Sequence, residues 1–497
     1  MIPTSRPTPT TSAAGTKRDE GSILILALVF STALALIVVG LATYASATLR
    51  LGQVAERSSD RLASANGAMD SALEDIERGV GPCKLFGQGY TVTDSVNGLK
   101  SNVDCNWVGG RFNVGDLFAI VMTGAGEGRT GPLLTVTNGG NSANAEKIFE
   151  GPVYMASTPT AAVANPTTDF KANLTIKNAD LMYTASNCTT ATPSLPSNLT
   201  IAPVGYGTQC YGDPWSDPAM FGAFAPAEPG INGSSFPGQP STPPTQDALG
   251  CYIWPPGRYT SPPQTLNGSY NYFRSGDYLL DGMGSWSVKN AFVLFGYPGD
   301  TGPGIPGIKN NESFAANPCR DAWKNDSNKS GATVYFGGNS QLAVDGLGAV
   351  EISGRERSGQ NIAVQALESG SRRTTIRGDQ RLIRTESGSN KQLSIQGLVW
   401  APYSALEFDL IANDAVAALT GGAVVSEISA GASANTNNFL IRVDTKPRTK
   451  ILQLTTTAAS DGNQGSTSVK AVVTVQVDKG ATSYALQSRR LLGLTPE

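Results

Sequence analysis

With 497 residues, a net charge of −3 and only 15 % charged residues, the chain can bury a large core but offers no electrostatic case for binding nucleic acid. It contains no histidine, which excludes Ser-His-Asp and Cys-His catalysis and every His-containing metal site on this chain. Glycine (56) and proline (30) are plentiful, a mix that favours many short strands joined by turns over a helical globule.

The first element is an uncharged stretch, Ser22 to Leu49, set behind Lys17-Arg18-Asp19-Glu20-Gly21. Its centre, Ile23 to Ala42, is about 20 residues, the length a helix needs to cross roughly 30 Å of hydrocarbon. No comparable run follows, which predicts a single pass with nearly all the mass outside the cytoplasm. From Leu51 onward, small or apolar residues recur at Val54, Ser58, Leu62, Ala65, Met69, Ala72 or Leu73, and Ile76, while Glu56, Arg57, Asp60, Arg61, Asp70 and Glu74 take other faces. No proline interrupts Ser22 to Arg78, and Gly79 followed by Gly81-Pro82 is a stop signal. The span is therefore expected to continue as one helix into an amphipathic stalk, reaching on the order of 85 Å. Two plainer readings stand beside it. Ala45-Ser46-Ala47 has the form of a secretory cleavage site, although the apolar core exceeds the roughly 7–15 residues of such signals. A simple signal-anchor is the other, its orientation weakly specified because Arg6, Lys17 and Arg18 precede the span and Arg50, Arg57 and Arg61 follow it.

The run Glu20-Gly21-Ser22-Ile23-Leu24-Ile25-Leu26-Ala27-Leu28, with the later Ala65-Asn66-Gly67-Ala68-Met69-Asp70-Ser71-Ala72-Leu73, resembles the N-terminal segment of PilX-like type IV pilus assembly proteins. The resemblance covers about 60 residues. It implies a cytoplasmic leader over 1–21, peptidase cleavage between Gly21 and Ser22, a helix and stalk over 22–79, and partners among pilin-like subunits and the pilus assembly machinery. The family's usual glutamate at the fifth mature position is replaced by Leu26, a departure that many PilX-like and tip-type subunits share.

All six cysteines (Cys83, Cys105, Cys188, Cys210, Cys251 and Cys319) follow the apolar segment, and none forms a CxxC pair. This usage fits disulfides in an oxidising compartment better than zinc or thioredoxin-type chemistry. Pairing in sequential order, Cys83–Cys105, Cys188–Cys210 and Cys251–Cys319, is the expectation adopted among several connectivities.

Residues 80–250 read as an irregular β region, with candidate strands at Leu133–Thr137, Pro152–Met155, Asn173–Lys177 and Asp180–Tyr183. The Pro/Gly/Ser-rich piece from Pro226 to Gln246 reads as a surface loop or linker. Residues 251–445 carry a dozen short β-rich pieces, among them Tyr270–Phe273, Ala332–Phe336, Gln392–Trp400 and Ala423–Ile428, separated by turn residues without long helices. Such spacing suits a β-helix or solenoid, with a β-sandwich as the alternative. Ile395 to Leu406, with Gly421-Gly422-Ala423-Val424-Val425, is similar to the β-helical ectodomains behind PilX-type segments. Residues 446–497 read as a final β unit in which Ser468–Val477 and Thr482–Gln487 make a hairpin around Asp478-Lys479-Gly480.

Candidate sites are few. Asp277 with Asp281, Glu407 with Asp409 and Asp213 with Asp217 are the nearest carboxylate pairs for glycoside cleavage, and each reads more simply as solvated acids beside turns. If its segment is a strand, Glu407 shares a face with Asp409. Arg377-Gly378-Asp379 spells an adhesion tripeptide but reads as a β-turn, and Arg372, Arg373, Arg377, Arg381 and Arg384 form a basic run that could meet anionic glycans or lipid headgroups. Gly296 to Gly302 has the collagen period too briefly for a triple helix. Trp254, Trp286, Trp323 and Trp400 are expected to pack in the core rather than stack on sugars. No cofactor motif is present. The sequence thus predicts a mainly β, non-enzymatic, membrane-anchored surface protein whose partners include membrane lipid and, through its ectodomain, surface glycans. A secreted or anchored β-helix enzyme or lectin acting on polysaccharide, and an autonomous adhesin, are the alternatives.

Overall fold

The computed structural model describes residues 20–78, 90–92, 100–109, 118–125, 132–138, 147–156, 174–179, 181–184, 199–204, 207–211, 225–230, 236–238, 244, 246–298, 318–357, 360–378, 380–386, 392–410, 415–432, 439–442, 448–459, 466–477 and 484–496. The chain is mainly β, with one long helix, α1 (Glu20–Arg78), of 59 residues. Uninterrupted by proline, α1 runs on the order of 90 Å. Its last four turns lie against a five-stranded antiparallel sheet that draws on both ends of the described chain. In sheet order the strands are Tyr90–Val92, Lys100–Gly109, Arg448–Ala459, Ser466–Val477 and Tyr484–Pro496. Residues 446–497 are thus not a free-standing unit. Their hairpin is present, with Val477 opposite Tyr484, but Arg448–Ala459 also pairs with Lys100–Gly109, so that Ile451 sits opposite Gly109.

The described strands between Gly109 and Arg448 build three further sheets, parallel except at Arg355–Arg357, which pairs antiparallel with Gln360–Ala366. Sheet I has eleven strands, sheet II ten and sheet III six. From Gly276 to Arg442 the described strands visit them in rotation, with Arg355–Arg357 an extra strand of sheet I, whereas from Lys147 to Phe273 they alternate between sheets I and II. Phe292–Phe295 lies in sheet II, Ala332–Gly337 in sheet I and Gln341–Asp345 in sheet III, and Ala349–Ser353 then returns to sheet II beside the first. This parallel pairing is not that of an antiparallel sandwich, and no sheet among the described residues is closed.

Register explains the core. Residues of one face stack in columns across the strands. Val293, Val350, Leu393, Ala417 and Phe439 form such a column in sheet II; Tyr278, Val334, Val364, Val399 and Ala423 form one in sheet I. In sheet III the column is Trp286, Leu342, Ile383, Leu406 and Ile428. Most of these side chains belong to one buried cluster, to which Ile120, Phe149, Leu174 and Leu199 also belong. The reason is visible in the sheet order. Phe439–Arg442 pairs with Lys147–Glu150, and Ala423–Val425 with Ile120–Met122, so the expected division between 80–250 and 251–445 does not hold. Strands from both regions share the three sheets.

Two other expectations change. Gln392–Trp400 is two strands, Gln392–Gln396 in sheet II and Leu398–Ala401 in sheet I, because Gly397 at φ 140° turns the corner between them. Pro226 to Gln246 is not a plain surface loop, since Phe236 is 4 % exposed and packs with Leu279, Tyr335 and Leu367 on the outer face of sheet I. A second cover, with the short helix α2 (Arg320–Lys324), lies over sheet II, where Trp323 packs with Tyr272 and Leu294.

Candidate functional site: the apolar helix and the strand-built body

The first half of α1 is the most unusual surface of the molecule. It is long and apolar enough to cross a membrane, its most apolar window has a mean hydropathy of 2.9, and none of that window is buried in the protein. Leu24, Leu36 and Leu51 are each more than two-thirds exposed. The few hydroxyls in this segment turn back onto the helix: Ser31 Oγ donates to the Leu28 carbonyl at 2.9 Å, Thr32 Oγ1 to Leu28 at 2.8 Å and Thr43 Oγ1 to Val39 at 2.7 Å. Each of these hydroxyls is thereby satisfied without water, the condition hydrocarbon imposes.

Further along, the same helix changes partner. Ser64, Ala65, Ala68, Met69, Ala72 and Leu73 are all buried, and Ser64 Oγ lies 2.8 Å from Ser101 Oγ on the adjoining strand. The alanines let the helix approach the sheet closely. Gly21 and Ser22, the expected processing position, fall in the first turn of α1.

Cys251 and Cys319 form a disulfide, one of the three pairs expected from sequential order, and it ties the α2 cover to sheet II. Cys105 and Cys210 lie in strands Lys100–Gly109 and Thr208–Tyr211, whereas Cys83 and Cys188 fall outside the described residues, as do Asp213, Asp217 and Asp379.

The carboxylate pairs are occupied by arginines. Asp281 meets Arg258 at 2.6 Å and Arg372 at 3.0 Å, and Asp277 meets Arg355 at 3.3 Å and Arg357 at 3.7 Å. Glu407 and Asp409 do share the outer face of their strand, Ala405–Leu410, and Arg381 reaches Glu407 at 3.6 Å as well as Glu427 at 2.5 Å. Arg384 pairs with Glu386, and Arg377 stacks on the Tyr403 ring at 4.6 Å. Four of the five arginines of the basic run, Arg372, Arg377, Arg381 and Arg384, are therefore engaged in local contacts, and Arg373 is exposed. Gln380 N donates to the Arg377 carbonyl and Gly378 has φ 62°, so these two residues of the tripeptide lie at a turn, while Asp379 is outside the described residues. Trp254, Trp286, Trp323 and Trp400 are buried, with Trp254 stacked on Phe273 at 5.4 Å.

Several functional-looking groups carry no sequence motif. Glu351, 3 % exposed, accepts from Gln396 Nε2 at 2.8 Å, and burial pushes its carboxyl up to about 8. Burial also pushes Glu368 up to about 7, opposed by a hydrogen bond from Trp400 Nε1, reinforced by the Glu228 charge and opposed by that of Arg377. Burial alone would raise Asp326, but donors from Tyr272 Oη, Ser275 N and Asn328 N outweigh it and hold the carboxyl below its usual range. Lys147 lies in the inward column between Phe439 and Leu174 and is lowered to about 8 by burial. Among the described residues, no three His, Cys, Asp or Glu side chains converge as metal ligands. No protein-family model, curated protein or solved structure matches this chain.

Proposed function

We propose that this chain is a non-enzymatic, single-pass surface protein of PilX-like character, a pilus assembly or minor pilin-like component. In this reading α1 seats in the bilayer or among the apolar helices of pilin-like subunits. The three parallel sheets are the faces of a β-helical body carried outside the cytoplasm as a cap, stalk or adhesive head. The observation that carries the reading is the divided character of α1. One continuous helix is wholly exposed and apolar over its first half, then buried on a sheet built from residues 90–109 and 448–496. A helix so exposed in water would expose several hundred Å² of hydrocarbon, which a lipid or helical partner must cover. The rotation of the chain through the three sheets from Gly276 to Arg442, broken only by the extra sheet I strand Arg355–Arg357, supports the coiled body.

Mass spectrometry of the mature N-terminus in the native host tests the proposal. A start at Ser22, with the protein in the membrane or sheared-filament fraction, supports pilin-type processing. A start near Thr48 with release from the membrane would overturn it, and a start at Met1 would reduce it to a permanent anchor.

A further inference from the structure

We propose that the outer face of sheet II holds a monovalent alkali cation between strands Ala349–Ser353 and Gln392–Gln396, with Glu351, Ser353 and Ser394 as its oxygen ligands. Alternation along the two strands turns Val350, Ile352, Leu393 and Ile395 into the core, so these three side chains share the opposite face. Register brings them together. Glu351 stands directly opposite Ser394, and Ser353 opposite Gln396, one strand spacing of about 4.8 Å apart. All three are buried, with Glu351 3 %, Ser353 4 % and Ser394 8 % exposed. Their hydrogen-bonding capacity is nevertheless left open. The hydroxyls of Ser353 and Ser394 meet no partner, and Gln396 Nε2, at 2.8 Å, is the one donor to the Glu351 carboxyl among the described residues. Buried polar groups are paired almost everywhere in folded proteins, so three of them open on one patch point to a ligand that the chain itself does not supply.

The chemistry of the patch selects the ligand. Carboxylate and hydroxyl oxygens suit a hard cation, and no thiolate or imidazole stands among them. The charge required is one. Burial is the cause of the raised Glu351 carboxyl, and no neighbouring charge contributes to it. The neighbours in the same row are Leu294 beside Glu351 and Ala418 beside Ser394, both fully buried. In so dry a setting a single positive charge leaves the ionised site neutral, whereas a divalent ion leaves an uncompensated buried charge. Without the ion, Glu351 is the bare buried acid that burial raises to about 8. With it, the carboxylate is held ionised, and the ion ties two neighbouring strands of sheet II across their outer face.

Thermal unfolding of the full-length protein in detergent at about pH 8 tests this, with sodium or potassium chloride compared against N-methylglucamine chloride at equal ionic strength. The organic cation reproduces the screening but is too bulky for a site between two strands. Tm is expected to be higher in the alkali salts. Above half-saturation, each tenfold rise in alkali concentration should raise the folded-to-unfolded ratio about tenfold. Glu351→Gln is expected to abolish the difference between the salts. Ser394→Ala keeps the carboxyl and removes one ligand, and is expected to raise the half-saturating concentration at least about tenfold, the loss that even an outer partner of a metal ligand brings. It serves if the first variant does not fold. Equal Tm values in the three salts overturn the proposal. So does an alkali response that is unchanged in Glu351→Gln or in Ser394→Ala.

Discussion

Glu351 gives the sharpest test of the energetics of the body. It stands on strand Ala349–Ser353 in the outer column of sheet II, between Leu294 and Ser394 on the neighbouring strands. Gln396 Nε2 is the one hydrogen-bond donor the structure gives it, and no cation pairs with it among the described residues. An acid raised from 4.5 to about 8 is more stable protonated in the fold than in the unfolded chain. Its contribution is therefore fully present below about 4.5 and is lost as pH rises to about 8, each pH unit removing about 1.4 kcal/mol. The accumulated penalty is about 4 kcal/mol at pH 8. Glu351→Gln keeps the shape and an acceptor for Gln396 but cannot ionise. Thermal unfolding of the full chain in detergent at pH 5 and pH 8 should show near-equal Tm values at the lower pH and a variant several degrees more stable at the higher. If the gap between the two proteins is the same at both pH values, the carboxyl is not the buried acid described, and the reasoning fails.

Other perturbations separate the remaining contributions. Replacing both Cys251 and Cys319 with serine opens a covalent loop of 68 residues and should cost about 4 kcal/mol. Trypsin should then cut around Lys324 and Lys329 at a rate the native protein matches only under reductant. Phe273, stacked on Phe295 at 4.3 Å and 1 % exposed, should cost about 3–5 kcal/mol on truncation to alanine, measured as a shift in denaturant midpoint at unchanged slope. Gly331→Ala should prevent native folding, because at φ +82° its Cβ would stand 2.1 Å from the Gly354 carbonyl oxygen of the adjacent corner. Gly268→Ala has the same handedness at φ +75° but open space around it, so it should cost only about 1–2 kcal/mol; equal costs for the two would refute the crowding argument.

The joining of residues 90–109 to 448–496 recasts the body as an insertion. The chain departs after Gly109 and returns at Arg448, and those two strands are hydrogen-bonded neighbours. Strands are also stacked out of chain order. From Phe439–Arg442 the next strand in sheet II is Lys147–Glu150, then Leu174–Lys177 and Leu199–Ala202, while Cys251–Trp254 stands at the opposite end. The chain must therefore travel back along the stack between residues 211 and 251. Pro226 and Phe236 from that stretch lie over sheet I, which is why a segment so rich in proline and glycine carries a buried phenylalanine.

From sequence alone, the helix could be read almost to its ends, because its evidence is local: an unbroken apolar run, a 3–4 spacing, no proline, then glycines and a proline. Short strands such as Tyr270–Phe273 were legible for the same reason, as was the burial of Trp254, Trp286, Trp323 and Trp400. Pairing was not. A strand's alternation says which residues face inward but not which of many similar strands lies beside it, so the junction of Ile120–Met122 with Ala423–Val425 had no local signature. The same holds for Glu351 and Glu368, ordinary acids in the sequence whose chemistry arises only when distant parts of the chain remove water from them. Local pattern determined the membrane-length rod and the β character of this protein. Tertiary pairing alone decided that Tyr90–Val92 and Lys100–Gly109 share one sheet beneath that rod with strands more than 300 residues later, because hydrogen-bonded edges recognise any partner in register, however far away it lies in the chain.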